Sequence, residues 1–232
     1  MNKNRIIEKG AGAPLVLLHG FMCSKEFFAS QINFFARYFK VVAYDLYGFG
    51  SCQAERAFSL DDYANEFVEL ANSLGGKVNV IAHSFGCRVV LKSAQKSNVI
   101  NKAVLCGVAG LKPNFSLKKK IKTSVYRIVR PFFSKEKLEK LFFSEDYNLL
   151  NPIMKESFKL VTSEYLDDYL SGINFPTFVI FGSNDKQTPP KIADKLVKNI
   201  PNCGKYIMKD CGHFCYSERP AEFNSMAKEF LI

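Results

Sequence analysis

Short apolar runs rich in β-branched residues alternate along the chain with segments of helical periodicity, and this alternation restricts the fold more than any other feature. The runs lie at 16–18, 41–44, 78–82, 103–106, 177–181 and 206–208. The helical segments lie at 27–39, 60–74, 85–97, 191–199 and 220–231. Continuously apolar runs imply strands buried on both faces, and intervening helices imply right-handed crossovers between parallel neighbours. The pattern therefore predicts an α/β fold with a doubly wound, mostly parallel sheet. At 232 residues and 47% hydrophobic content, one domain suffices.

One stretch breaks the alternation. Residues 111–171 contain no clear strand and only helical patterning, so they are expected to form a helical cap inserted into a core made of 1–110 and 172–232. Ligands of open α/β sheets bind at the carboxyl ends of the strands, which places such an insertion over a crevice. Before the first run there is only one short apolar pair, Ile6 and Ile7, leaving room for a single short strand or none.

Within VIAHSFGCRVVL, residues 80–91, Ser84 stands between a strand and a helix, with Ala82 and Gly86 two residues away on either side. A serine on a sharp strand-to-helix turn has its Oγ pushed out of the sheet, and the tight backbone demands small residues at those flanks. The simpler reading is a serine at a helix N-cap. A serine nucleophile needs a base, and the base needs an acid to orient it. TFVIFGSNDKQTPP supplies Asp185 after a strand and a turn, and YIMKDCGHFCYSERP supplies His213 before the last helix. Asp185 also reads as a turn aspartate, and Asp210 is an alternative acid closer to His213 in sequence. His19 and His83 sit inside turns, which leaves His213 as the base.

This constellation resembles the α/β-hydrolase superfamily, with Ala82 in place of the first glycine of G-x-S-x-G. The resemblance runs from LLHGF to the terminal helix and implies the chain order Ser84, Asp185, His213 for a catalytic triad. It also implies oxyanion donors: the N–H of Phe85 after the nucleophile, and that of Phe21, or alternatively Met22, in the His-Gly turn after the first run. His19 is expected to brace that turn. YDLYGFGSC resembles the superfamily's D-x-R-G-x-G-x-S stretch, with Tyr47 where Arg is usual, and Asp45 there reads as a turn residue outside the triad. The implied activity is that of a lid-bearing serine hydrolase acting on carboxylic esters, or thioesters, with a hydrophobic acyl group. A carbon–carbon bond hydrolase is the alternative within enzymes, and a ligand receptor or scaffold on the same fold is the alternative outside them. Haloalkane dehalogenation is not expected, since it requires a carboxylate at the position of Ser84.

Composition narrows the rest. No apolar run reaches the length of a membrane span, and 13–18 is too short for a signal-peptide core, so a cytoplasmic protein is expected. Seven cysteines suit a reducing compartment, and Cys203, Cys211, His213 and Cys215 match no common zinc spacing. Neither metal nor cofactor is expected. Of the net charge of +10, most comes from 111–140, where ten basic residues face two acidic ones. There, Leu117, Ile121, Val125, Ile128 and Phe132 recur at helical spacing among Lys118, Lys119, Lys120, Lys122, Arg127 and Arg130. That face reads as a solvated helix, or as a docking surface for an acidic acyl carrier protein, coenzyme A phosphates or anionic lipid. It carries no motif that reads nucleic acid.

Overall fold

The structure is a computed structural model and describes residues 3–112 and 145–232. Strands β1 (Ile6–Lys9), β2 (Pro14–Leu18), β3 (Lys40–Tyr44), β4 (Val78–His83), β5 (Ile100–Cys106), β6 (Thr177–Gly182) and β7 (Cys203–Met208) form one sheet. Their order is β1-β3-β2-β4-β5-β6-β7. All pairs are parallel except β1 with β3, so the N-terminal part of the sheet is reduced to one short antiparallel strand. The fold is the doubly wound α/β architecture that the alternation predicts.

The period-two geometry of strands divides the core into two layers. Val16, Leu18, Val42, Tyr44, Val80 and Ala82 face α2 (Leu60–Ser73) and α3 (Phe85–Ser93). Leu15, Leu17, Val41, Ala43, Ile81 and Val104 face α1 (Ala29–Phe35) and the C-terminal helix, which contributes Phe223, Ala227 and Leu231. Helix α2 begins at a capping box, in which Ser59 and Asp62 satisfy each other's backbone N–H groups.

Two expectations are corrected. The segment 27–39 is not one helix: a 3-10 turn, Lys25–Phe28, precedes α1, and α1 stops at Phe35 because the chain must reverse to enter β3. The last apolar run is not buried on both faces. β7 lies at the sheet edge, where Gly204 and Lys205 are exposed and Met208 is its only buried residue.

The described part of the 111–171 insertion is helical: α4 (Glu145–Leu149), α5 (Pro152–Ser163) and a 3-10 segment, Asp167–Gly172. Asn151 caps α5 by accepting from the Met154 N–H. The basic residues Lys118, Lys119, Lys120, Lys122, Arg127 and Arg130, and the stripe from Leu117 to Phe132, lie outside the described residues. After β6 come α6 (Lys191–Asn199), α7 (Cys215–Glu218) and α8 (Pro220–Leu231). No helix among the described residues is long and apolar enough to cross a membrane.

Candidate active site

Ser84 occupies the single residue between β4 and α3 at φ +49° and ψ −105°, a conformation that non-glycine residues adopt only when their surroundings enforce it. The enforcement is steric. A Cβ on Gly86 would lie 2.3 Å from the Leu18 carbonyl oxygen, so only glycine lets α3 start this close to β2. The Ser84 N–H donates to the Cys106 carbonyl at 2.9 Å, tying the turn to β5. Phe85 opens α3, and its N–H, at the start of the first turn, has no acceptor within the helix, which leaves it able to meet an anion.

Asp185 and His213 arrive from the loops after β6 and β7 and meet through a 2.7 Å hydrogen bond from His213 Nδ1 to Asp185 Oδ2. Both side chains are buried. The carboxylate also accepts from the N–H groups of Gln187 and Thr188 at Oδ1, and from the Thr188 hydroxyl at Oδ2, 2.7 Å away. Burial pushes this carboxyl up, but hydrogen bonds from His213 and from the Thr188 backbone and hydroxyl outweigh it and hold Asp185 below its ordinary value. With Nδ1 engaged, Nε2 is the nitrogen that His213 has left for another partner. Asp210 is not near this pair in function: it is an exposed turn residue at φ +57° whose N–H donates to Ser183 Oγ.

The other two histidines are held in turns. His19 Nδ1–H donates to the Gly20 carbonyl at 2.7 Å, while Nε2 accepts from the Leu46 N–H at 3.0 Å, so both ring nitrogens brace the turn that carries Phe21 and Met22. Burial lowers its pKa to about 4 and keeps it neutral. His83 Nε2–H donates to the His213 backbone carbonyl at 3.0 Å, which fastens the loop of His213 to the turn at Ser84. Burial, and then the neighbouring His213, lower its pKa to about 3.

Phe21 packs edge-on against Phe85 and Phe49, and Met22 stands at φ +59° with its side chain exposed. Asp45 is fully buried and does not join the Asp185–His213 pair, accepting instead from the Lys25 N–H and ammonium and from the Ser51 N–H and hydroxyl. Tyr47 stacks on Phe58 at 4.3 Å and carries the Arg5 guanidinium 4.2 Å above its ring. Arg5 pairs in turn with Glu66 on α2. A guanidinium thus reaches this spot from the N-terminal segment. Among the described residues no three His, Cys, Asp or Glu side chains converge as a metal site.

Ser84 and His213 line one cleft of about 440 Å³. Phe21, Met22, Cys23 and Phe27 from the β2 side, Phe214 beside His213, and Tyr147, Leu150 and Phe158 from the segment between β5 and β6 form most of the rest. Gln187 adds an amide, and no Lys or Arg is among the described lining residues. Sequence reading expected the insertion over a crevice but did not name Thr188, Gln187 or the lining residues Tyr147, Leu150 and Phe158. The first had a signal, since an aspartate followed by Thr three residues on, just before two prolines, is a turn in which the carboxylate accepts the following N–H groups.

A sequence model of the alpha/beta hydrolase family matches residues 15–226. The chain is 25% identical to 2-hydroxy-6-oxo-6-(2'-aminophenyl)hexa-2,4-dienoic acid hydrolase of Metapseudomonas resinovorans, over 99% of this chain and 87% of that protein. It is 23% identical to pimeloyl-[acyl-carrier protein] methyl ester esterase of Pectobacterium atrosepticum, over 96% of each. Among solved structures, a serine hydrolase involved in carbazole degradation superposes with a TM-score of 0.77 at 22% identity, covering 97% of this chain and 93% of that one.

Proposed function

The chain belongs to the alpha/beta hydrolase family, and from that premise we propose that it is a serine hydrolase cleaving carboxylic esters or thioesters with an apolar acyl group. The observation that carries this reading is the juxtaposition of Ser84, on its strained turn, with the hydrogen-bonded Asp185–His213 pair in one mainly apolar cleft. In the proposed reaction Ser84 Oγ attacks the substrate carbonyl as His213 Nε2 takes its proton. The N–H groups of Phe85 and of Phe21, or of Met22 in its place, receive the developing oxyanion. His213 returns the proton to the leaving alcohol or thiol, and water then releases the acid from the acyl-Ser84 intermediate by the same steps. Residues 111–171 act as the cap over this cleft.

A second reading, hydrolysis of a carbon–carbon bond, is favoured by the similarity to the dienoic acid hydrolase across nearly the whole chain. Against it, such a substrate carries a carboxylate, and no cation is among the described lining residues. The similarity to an esterase acting on an acyl carrier protein, together with the basic stretch 111–140, supports a carrier-borne acyl group as the physiological substrate.

A p-nitrophenyl ester series measures both activity and acyl preference. The protein should turn over these esters and be labelled at Ser84 by a fluorophosphonate, and Ser84→Ala should lower kcat by roughly 10⁴-fold or more. Full turnover by Ser84→Ala would remove the proposed nucleophile. Turnover of a dienoic acid with no turnover of any ester would favour the carbon–carbon reading.

A further inference from the structure

Helix α3 has two ends with different tasks. Its N-terminus follows Ser84, while one turn further along, on one face, Arg88 and Lys92 meet the C-terminus of α5. The last carbonyls of a helix have no partner within it and carry the negative end of its dipole. Arg88, buried, donates to one of them, Val161 O, and to the carbonyl of Glu164, the extended residue that caps α5. Lys92 Nζ reaches Glu164 Oε1 at 2.7 Å. Further back along α5, the Phe58 N–H donates to Ser157 Oγ at 3.0 Å.

Phe158 lies one turn before Val161. Its ring meets Phe21 edge-on at 5.2 Å and Tyr147 at 5.3 Å, and it forms part of the cleft wall. Both bonds leave one nitrogen, Nη2, whose two N–H groups lie in the guanidinium plane and so fix the two carbonyls in direction as well as distance, which a freely rotating ammonium does not. We propose that Arg88 is a positioning residue for substrate selection: by holding the C-terminal carbonyls of α5, it fixes Phe158 against Phe21 and thereby sets the grip of the cleft on long acyl chains. The proposal rests on the hydrolytic reading for its substrate and on the α3–α5 contact for its geometry. Lys92 and Ser157 keep α5 attached when Arg88 is replaced, so the expected defect is a shifted wall and not a released one.

The test compares kcat/KM for p-nitrophenyl octanoate and p-nitrophenyl acetate in the wild type, Arg88→Met, Arg88→Lys and Phe158→Ala. An acetyl group barely samples the wall, whereas an octanoyl chain lies along it. The octanoate-to-acetate ratio should fall about tenfold in Arg88→Met, the size of losing a methylene or two of pocket contact, through a higher KM for octanoate. Arg88→Lys should fall between. Combining Arg88→Met with Phe158→Ala should lower the ratio no further than Phe158→Ala alone, because both act through one ring. An unchanged ratio in both Arg88 variants, or additive effects in the double variant, would overturn the proposal, and Arg88→Lys decides it if Arg88→Met does not fold. Octan-1-ol binding by calorimetry gives a readout independent of turnover. If the wild type cleaves no ester but octan-1-ol binding weakens in Arg88→Lys and Phe158→Ala, the hydrolytic reading fails and the positioning role stands. If binding is unaffected in both, the positioning role fails.

Discussion

Thr188 shows how closely the setting of a buried carboxylate is decided by its neighbours. Its hydroxyl and N–H both donate to Asp185, one to each oxygen, and fix the plane of the carboxylate that receives His213 Nδ1–H. Thr188→Val keeps the shape and the backbone donor but removes the hydroxyl. Losing one charge-assisted hydrogen bond costs about 1.5–3 kcal/mol, so kcat for ester hydrolysis should fall roughly 10- to 150-fold. The same bond helps hold Asp185 low, and a depressed carboxyl contributes stability above its unfolded pKa that is lost as pH falls through the folded one. The melting-temperature gap between wild type and variant should therefore be widest at neutral pH and narrow on acidification below the ordinary carboxylate range. Equal activity would mean that the two backbone donors alone orient the acid. Ser84, Asp185 and His213 are legible in the sequence because each follows an apolar run in a fixed chain order. Thr188 left a local signal in its spacing from Asp185, whereas the bonds of His83 and Arg88 go to backbone carbonyls brought near only by the fold.

At the scale of elements, the strands were readable because continuous apolar runs have few other places to go. The central strands β2 to β6 match it, with Leu15, Leu17, Val16 and Leu18 dividing between two buried layers. The reading failed at the margins: β7 draws Gly204 and Lys205 into an edge strand that apolarity alone does not mark, and α1 yields to the reversal before β3. The elbow is the opposite case, since its requirement for small flanks is visible in the letters themselves. Gly86→Ala tests it. The added methyl group would meet the Leu18 carbonyl at 2.3 Å and the His19 carbonyl at 2.9 Å, both backbone atoms that cannot rotate away. Overpacking of that kind typically costs about 1–3 kcal/mol and shifts backbone, here beside Ser84 and the Phe21 turn. Gly86→Ala should melt several degrees lower and lose most ester turnover. A variant as stable and active as the wild type would show that α3 can move away from β2 without disturbing the nucleophile.

For the whole molecule, charge is distributed far less evenly than apolarity. The chain carries +10, and residues 111–140 supply ten basic side chains against two acidic ones, so the remainder is close to balanced. Among the described residues, several cations are held by acidic partners, as in the pairs Lys25–Asp45, Arg5–Glu66, Lys92–Glu164 and Lys195–Asp167. A concentrated positive field speeds encounter with an acidic partner and is screened beyond about 8 Å at physiological ionic strength. Bond cleavage in a buried, mainly apolar cleft has little reason to respond to salt. If the basic stretch docks an acidic acyl carrier protein, kcat/KM for an acyl group borne on that carrier should drop several-fold between low and moderate salt. It should drop again when Lys118, Lys119 and Lys120 are changed to Glu, each replacement reversing one charge. Hydrolysis of a small neutral ester by the same preparations should change little in either comparison, which separates docking from damage to the site. Equal responses of the two substrates, or no response of either, would leave the basic stretch as a solvated surface and remove the carrier from the proposed function.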